Sequence, residues 1–263
     1  MNMRLLLIGG TGNPYFEHCK REMATFLESA TRVGFISAAN LFDEVEYFRS
    51  IQRRLTGIAP IVTRQLVHIR WDSNSLDPLN EVDAVIVGGG NTYALLKRLR
   101  QSGLLEALRA KVLAGLPYVG SSAGANVAGP NILTTNDWNV VGLTEFRSLA
   151  LVPFNLNPHY VDRSASDAAH SESRDQRIKE YHQIWRNHVV AIEEEALLDI
   201  TEDKLYIRGQ ARAKVFLPDN QQRWFSPGES LSLDHSALAG DGVGGAAPMS
   251  DQTLPPAPYR RIG

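Results

Sequence analysis

Short continuous apolar runs alternate along this chain with stretches whose apolar residues return at helical spacing. Leu5–Ile8, Val33–Ser37 and Val82–Val87 are the clearest runs and read as strands buried on both faces. Pro60–Ile69 holds a less regular candidate, and Tyr118 and Val119 a further one. Helices are expected through about Ser29, from about Phe42 to Leu55, around Leu95, Leu96 and Leu99, and over Gly103–Leu113. Strands alternating with helices, without hairpin signals, predict an α/β fold with a doubly wound, mostly parallel sheet. Ligands of such sheets sit outside the carboxyl ends of the strands. A further strand is expected at Leu149–Phe154, an amphipathic helix within Ser171–Asn187, and another strand at Val189–Ile192. Leu205–Arg208, Lys214–Leu217 and Ser230–Leu233 read as a small antiparallel C-terminal β segment. Residues 1–238 are expected to form a single domain. Residues 239–263, rich in Gly, Ala and Pro, read as a tail or an arm over a neighbouring subunit.

The chemistry concentrates at strand ends. Gly120-Ser121-Ser122-Ala123-Gly124 follows the Tyr118 strand and precedes small, helix-compatible residues. Gly-x-Ser-x-Gly between a strand and a helix is the setting of a nucleophile elbow, with Ser122 as the nucleophile. Gly88-Gly89-Gly90 ends the preceding strand on the same rim, so Gly89 or Gly90 and the Ala123 amide are candidate oxyanion donors. His159, behind Pro158, is placed as a general base. Asp137 is a first candidate acid, although an Asx turn suits it as well. In Glu193-Glu194-Glu195, strand alternation turns Glu194 opposite to its neighbours, so one acid can face the site. Ser173 and Gln176 make a capping box, which puts Arg174 and Arg177 in a first helical turn. The helix dipole disfavours cations there, so an anionic partner is expected nearby. Gly9-Gly10-Thr11-Gly12 lacks the third glycine of a dinucleotide loop and reads as a plain strand-to-helix turn.

Composition narrows the classes. Hydrophobic residues make up 43% of the 263, ample for a core, and 27 basic residues face 29 acidic ones. No basic stripe invites nucleic acid, and no run reaches membrane-spanning length. The first apolar run is too short for a secretory signal, so a soluble cytoplasmic protein is expected. Cys19, the single cysteine, forms no internal disulfide and reads as a packing residue. There is no His-Glu-x-x-His or cysteine cluster for a metal.

Five stretches carry a family resemblance: Gly88–Thr92, Gly120–Val127, Thr134-Thr135-Asn136-Asp137, Asn157-Pro158-His159 and Glu172–Ile178. In this order, across about Leu5 to Leu233, they resemble the S51 serine peptidases, in particular the peptidase E group of α-aspartyl dipeptidases. The resemblance implies a flavodoxin-like sheet shared with class I glutamine amidotransferases. It also implies a triad of Ser122, His159 and Glu194, with Asp137 matching another family acid near the site. Arg174 matches the arginine that takes the substrate's aspartyl carboxylate, and Asn91 another substrate-binding position. The implied activity is hydrolysis of small acidic Asp-X dipeptides through an acyl-enzyme, with no cofactor or metal. A homo-oligomer, dimer or tetramer, is the expected assembly. Alternatives are a cyanophycinase-like hydrolase of β-linked Asp-Arg, an amidotransferase-like protein, against which Ser122 in place of cysteine argues, and an inactive ligand-binding relative. Ser121 stands where the family usually has an aromatic residue, and Glu193-Glu194-Glu195 where it has a Pro-Glu-Gly-type turn.

Overall fold

Apolar runs with no polar face fold as the inner strands of a parallel sheet, covered on both sides. The structure, a computed structural model, describes residues 3–13, 15–56, 65–73, 75–162, 172–201 and 204–232. Its first half runs β1 (Arg4–Ile8), a 3-10 turn (Glu17–Cys19), α1 (Lys20–Phe26), β2 (Val33–Ile36), α2 (Glu44–Thr56), β3 (Leu66–Ile69), α3 (Asp77–Asn80) and β4 (Ala84–Val87). It continues through α4 (Thr92–Gln101), α5 (Leu104–Leu113), β5 (Tyr118–Ser121) and α6 (Ala123–Asn126). The parallel strands lie in the order β3-β2-β4-β5-β1. β1, first in the chain, thus stands at the edge of the parallel set, beside β5.

Side-chain alternation feeds a core on each face. Leu5 and Leu7 of β1 join one core with Leu95, Leu96 and Leu99 of α4 and Leu104 and Leu108 of α5. Leu6 and Ile8 join the other, with Met23 and Phe26 of α1 and Ile51 and Leu55 of α2. Cys19 is fully buried in this second core, where burial pushes its thiol pKa up.

The second half runs β6 (Asn155–Tyr160), α7 (Arg174–Ile184), β7 (Val189–Glu193), β8 (Ala196–Thr201), β9 (Lys204–Gly209), β10 (Ala213–Phe216), β11 (Gln222–Phe225) and β12 (Ser230–Ser232). β8, β9 and β12 extend the main sheet antiparallel beyond β1 to eight strands. β6, β7, β10 and β11 form a separate four-stranded sheet. In β7, Val190 and Ile192 join the core of the main sheet, while Val189 and Ala191 pack with Ile178 and Tyr181 of α7. The antiparallel segment expected at the C-terminus is therefore divided between two sheets.

Leu149–Phe154 is not a strand. The backbone N–H groups of Leu149, Ala150 and Leu151 donate to the carbonyls of Val127, Gly129 and Ala128, which ties this apolar run to the end of α6. The strand forms one step later, as β6. β8 and β11 were not expected; β8 follows directly on the glutamate run, and β11 buries only Phe225. Residues 60–64 of the Pro60–Ile69 candidate, Leu233, and the tail 239–263 lie outside the described residues. Among the described residues no helix is long and apolar enough to cross a membrane.

Candidate active site

Ser122 follows the last residue of β5 with φ 54° and ψ −110°, a backbone conformation that L-residues rarely adopt. The turn is closed by packing that only glycine allows. A Cβ at Gly124 would stand 2.1 Å from the Val87 carbonyl oxygen, and one at Gly120 2.4 Å from that of Gly124. The Ser122 N–H donates to the Ile8 carbonyl at 3.0 Å, which carries the β1–β5 ladder through the turn. Such strain costs about 1–3 kcal/mol and is kept where the surroundings over-determine it.

His159 reaches Ser122 from the other sheet. Pro158 pairs with Ile192 and Tyr160 with Glu193, so His159 is the extra residue of a β-bulge. Its φ is 55°, and its N–H leaves the β6–β7 ladder to donate to the Gly9 carbonyl at 3.1 Å. Its Nε2 lies 2.7 Å from Ser122 Oγ.

Glu194 lies in the turn between β7 and β8, where the chain passes from one sheet to the other. One carboxylate oxygen accepts from His159 Nδ1, the other from the Gly12 N–H at 3.3 Å. A carboxylate can only accept, so Nδ1 carries the imidazole proton and Nε2 is free to take the hydroxyl proton of Ser122. The His159 and Glu194 side chains are 44% and 48% exposed, so the chain of hydrogen bonds opens to solvent. Glu193 pairs with Arg212 instead.

The remaining candidates separate. Asp137 accepts from the N–H and hydroxyl of Thr92 at 2.7 and 2.6 Å, and from Thr135 Oγ1 at 3.2 Å. It caps the start of α4, and the acid that the structure sets against His159 is Glu194. Asn91 is the N-cap of the same helix: Oδ1 accepts from the Ala94 N–H and Nδ2 donates to the Trp138 carbonyl, each at 2.9 Å. Arg174 is the first residue of α7, half-buried, behind Ser173, whose hydroxyl accepts from the Gln176 N–H at 3.1 Å. A Cβ at Gly89 would lie 3.1 Å from Ser122 Cβ. Burial and Tyr15 push the Tyr47 hydroxyl pKa up, and a backbone hydrogen bond from Gly89 draws it part of the way back. Gly90 holds φ 138°, and the Ala123 N–H opens α6, where backbone donors have no partner within the helix.

The family model described as Peptidase family S51 matches residues 5–208. The chain belongs to peptidase family S51. It is a serine-type peptidase. Peptidase E of Streptomyces coelicolor is 34% identical over 236 residues, covering 88% of this S51 chain and 94% of that protein. A probable alpha-aspartyl dipeptidase of Drosophila melanogaster is 36% identical over 235 residues, covering 87% and 96%. Among solved structures, a putative peptidase E of Listeria monocytogenes superposes with TM-score 0.61 at 24% identity, over 80% of this chain and all of that one. A peptidase of an acI-B1 Actinobacterium gives TM-score 0.62 at 15% identity, over 88% and 97%. These two likenesses bear on the fold alone.

Two supports of the S51 site go beyond what the sequence suggests for them. Gly10 and Gly12 form the cradle of Glu194, in the glycine run read from the sequence as a plain strand-to-helix turn. The Thr134–Asp137 stretch braces β6: Thr134 Oγ1 donates to the Leu156 carbonyl at 2.7 Å and Asn136 Nδ2 to that of Pro158 at 2.9 Å. Ser121 is buried beside the nucleophile, its hydroxyl without a hydrogen-bond partner among the described residues.

Proposed function

We propose that this S51 peptidase is a dipeptidase that cleaves Asp-X dipeptides through an acyl-enzyme on Ser122. The observation that carries the reading is the unbroken hydrogen-bond chain Glu194–His159–Ser122. His159 Nε2 takes the Ser122 proton as Oγ attacks the peptide carbonyl, and Glu194 orients the ring and stabilises its cation. The Ala123 N–H and that of Gly89 or Gly90 receive the oxyanion. His159 then protonates the leaving amine, and water admitted through the open site hydrolyses the ester. Arg174 supplies a guanidinium fork for the aspartyl carboxylate in two-point contact. Asn91, committed to capping α4, is left out of substrate recognition. The likeness to the probable alpha-aspartyl dipeptidase of Drosophila melanogaster, 36% identical, supports the substrate class.

The test is hydrolysis of Asp-Leu, Glu-Leu, N-acetyl-Asp-Leu, β-Asp-Leu and Ala-Leu, with Ser122→Ala as control. Selective cleavage of Asp-Leu, lost in the variant, is the expected result. Cleavage of β-Asp-Leu alone moves the substrate to the cyanophycinase-like class. Tight aspartate binding without turnover or fluorophosphonate labelling makes the protein a binder.

A further inference from the structure

Behind the site lies a buried cation that the reaction does not use. Lys214 of β10 is 5% exposed, and its Nζ donates to Asp175 Oδ2 at 2.9 Å and to the Tyr160 hydroxyl at 3.1 Å. Tyr160, 2% exposed, closes the triangle by donating to the other Asp175 oxygen. The ammonium lies 5.0 Å from the Phe216 ring centroid and 5.1 Å from that of Trp224. Arg212 stacks on Trp224 at 3.9 Å and pairs with Glu193.

The sequence neighbours of these groups are the residues of the site. Tyr160 follows His159 immediately after the bulge, Asp175 follows Arg174 in the first turn of α7, and Glu193 precedes Glu194. A desolvated ammonium against a carboxylate is strong, directional and costly to separate. Each tie is one peptide unit from a group that must be held to within a fraction of an ångström.

We infer that Lys214, Asp175 and Tyr160 form a positioning unit that fixes the general base and the carboxylate-binding arginine relative to each other. This rests on the reading of Arg174 as the aspartate-binding residue. The unit acts through its neighbours and touches no substrate. Tyr160 holds β6 beyond the strained His159, and Asp175 holds the start of α7 at the distance that one acidic side chain spans.

The two arms separate in kinetics. Tyr160→Phe frees β6 and leaves the Lys214–Asp175 pair intact. It should lower kcat on Asp-Leu and Ala-Leu alike by about tenfold, with KM nearly unchanged. Asp175→Asn keeps the shape and loosens α7. It should raise KM for Asp-Leu by about tenfold and move Ala-Leu little, because only the former uses Arg174. A purely structural role moves both substrates and both constants together. Either that outcome or wild-type constants in both variants overturns the inference. The apolar double variant Lys214→Met/Asp175→Leu serves as a check on folding. Restored melting temperature with the Asp-Leu preference still lost supports positioning; restored preference overturns it. A wild-type enzyme with no preference for Asp-Leu over Ala-Leu overturns the Arg174 reading itself.

Discussion

A Cβ at Gly10 would stand 2.3 Å from both carboxylate oxygens of Glu194, so this glycine leaves the room in which the acid meets His159. Its obstacle is the far end of a flexible side chain, which can swing away. Gly10→Ala should therefore fold with nearly wild-type stability and lose about a hundredfold in kcat, as general-base function suffers. Gly9→Ala differs, because its Cβ would meet the Glu193 backbone carbonyl at 2.1 Å. It should lower the melting temperature as well. Thermal melts beside kinetics check the pair, and a Gly10→Ala enzyme of full activity refutes the cradle.

The two acids can be told apart by the same means. Glu194→Gln should reduce kcat by about 10²–10⁴-fold, the range for a disabled acid–base partner, with little change in melting temperature. Asp137→Asn weakens the cap on Thr92 and should cost about 1 kcal/mol of stability while activity stays within a few-fold. The reverse pattern would put Asp137 in the triad in place of Glu194.

Strain at Ser122 is measurable through two inactive variants. Ser122→Ala keeps a Cβ in the unfavourable conformation, whereas Ser122→Gly removes it. The glycine variant should be the more stable of the two, by about 1 kcal/mol in chemical denaturation. Equal stabilities would mean that the elbow stores no strain.

Arg174→Ala should cut the Asp-Leu over Ala-Leu preference by about tenfold to a hundredfold, the worth of hydrogen bonds to a charged group. Acylation of Ser122 by a fluorophosphonate should continue. An unchanged preference removes Arg174 from recognition.

Stability should fall in mild acid. Burial lowers the pKa of His18, against opposing pulls from Glu195 and Glu194, and burial likewise lowers those of His68 and His182. The unfolded chain takes up protons near about pH 6.5, which the folded chain resists, so their contribution is full above that value. It is lost as pH drops through it towards the depressed folded values. Melting temperatures near about pH 7.5 and pH 5.5 test this, and His182→Gln should flatten the decline. A protein that melts higher in acid contradicts the sign.

The elbow at Ser122 and the place of Arg174 in the first turn of a helix were legible because each rests on a local pattern: glycines between strand and helix, and a capping box. His159 was legible as a residue but not as a geometry. Its bulge is a property of the pairing between β6 and β7, which the Leu149–Phe154 run obscured by being more apolar than β6 itself. The roles of Gly9 and Gly10 were hidden for a similar reason, since what crowds them comes from Glu193 and Glu194, far along the chain. The division of the C-terminal strands depends on which edge each finds, a choice that short apolar runs do not record.

Ser122 is delivered by one sheet, His159 by the other, and Glu194 by the turn that stitches them together. Turnover is therefore a gauge of docking. A relative slip of an ångström between the layers would part nucleophile from base while every strand stayed intact, so heating should silence the enzyme before backbone spectra report any melting.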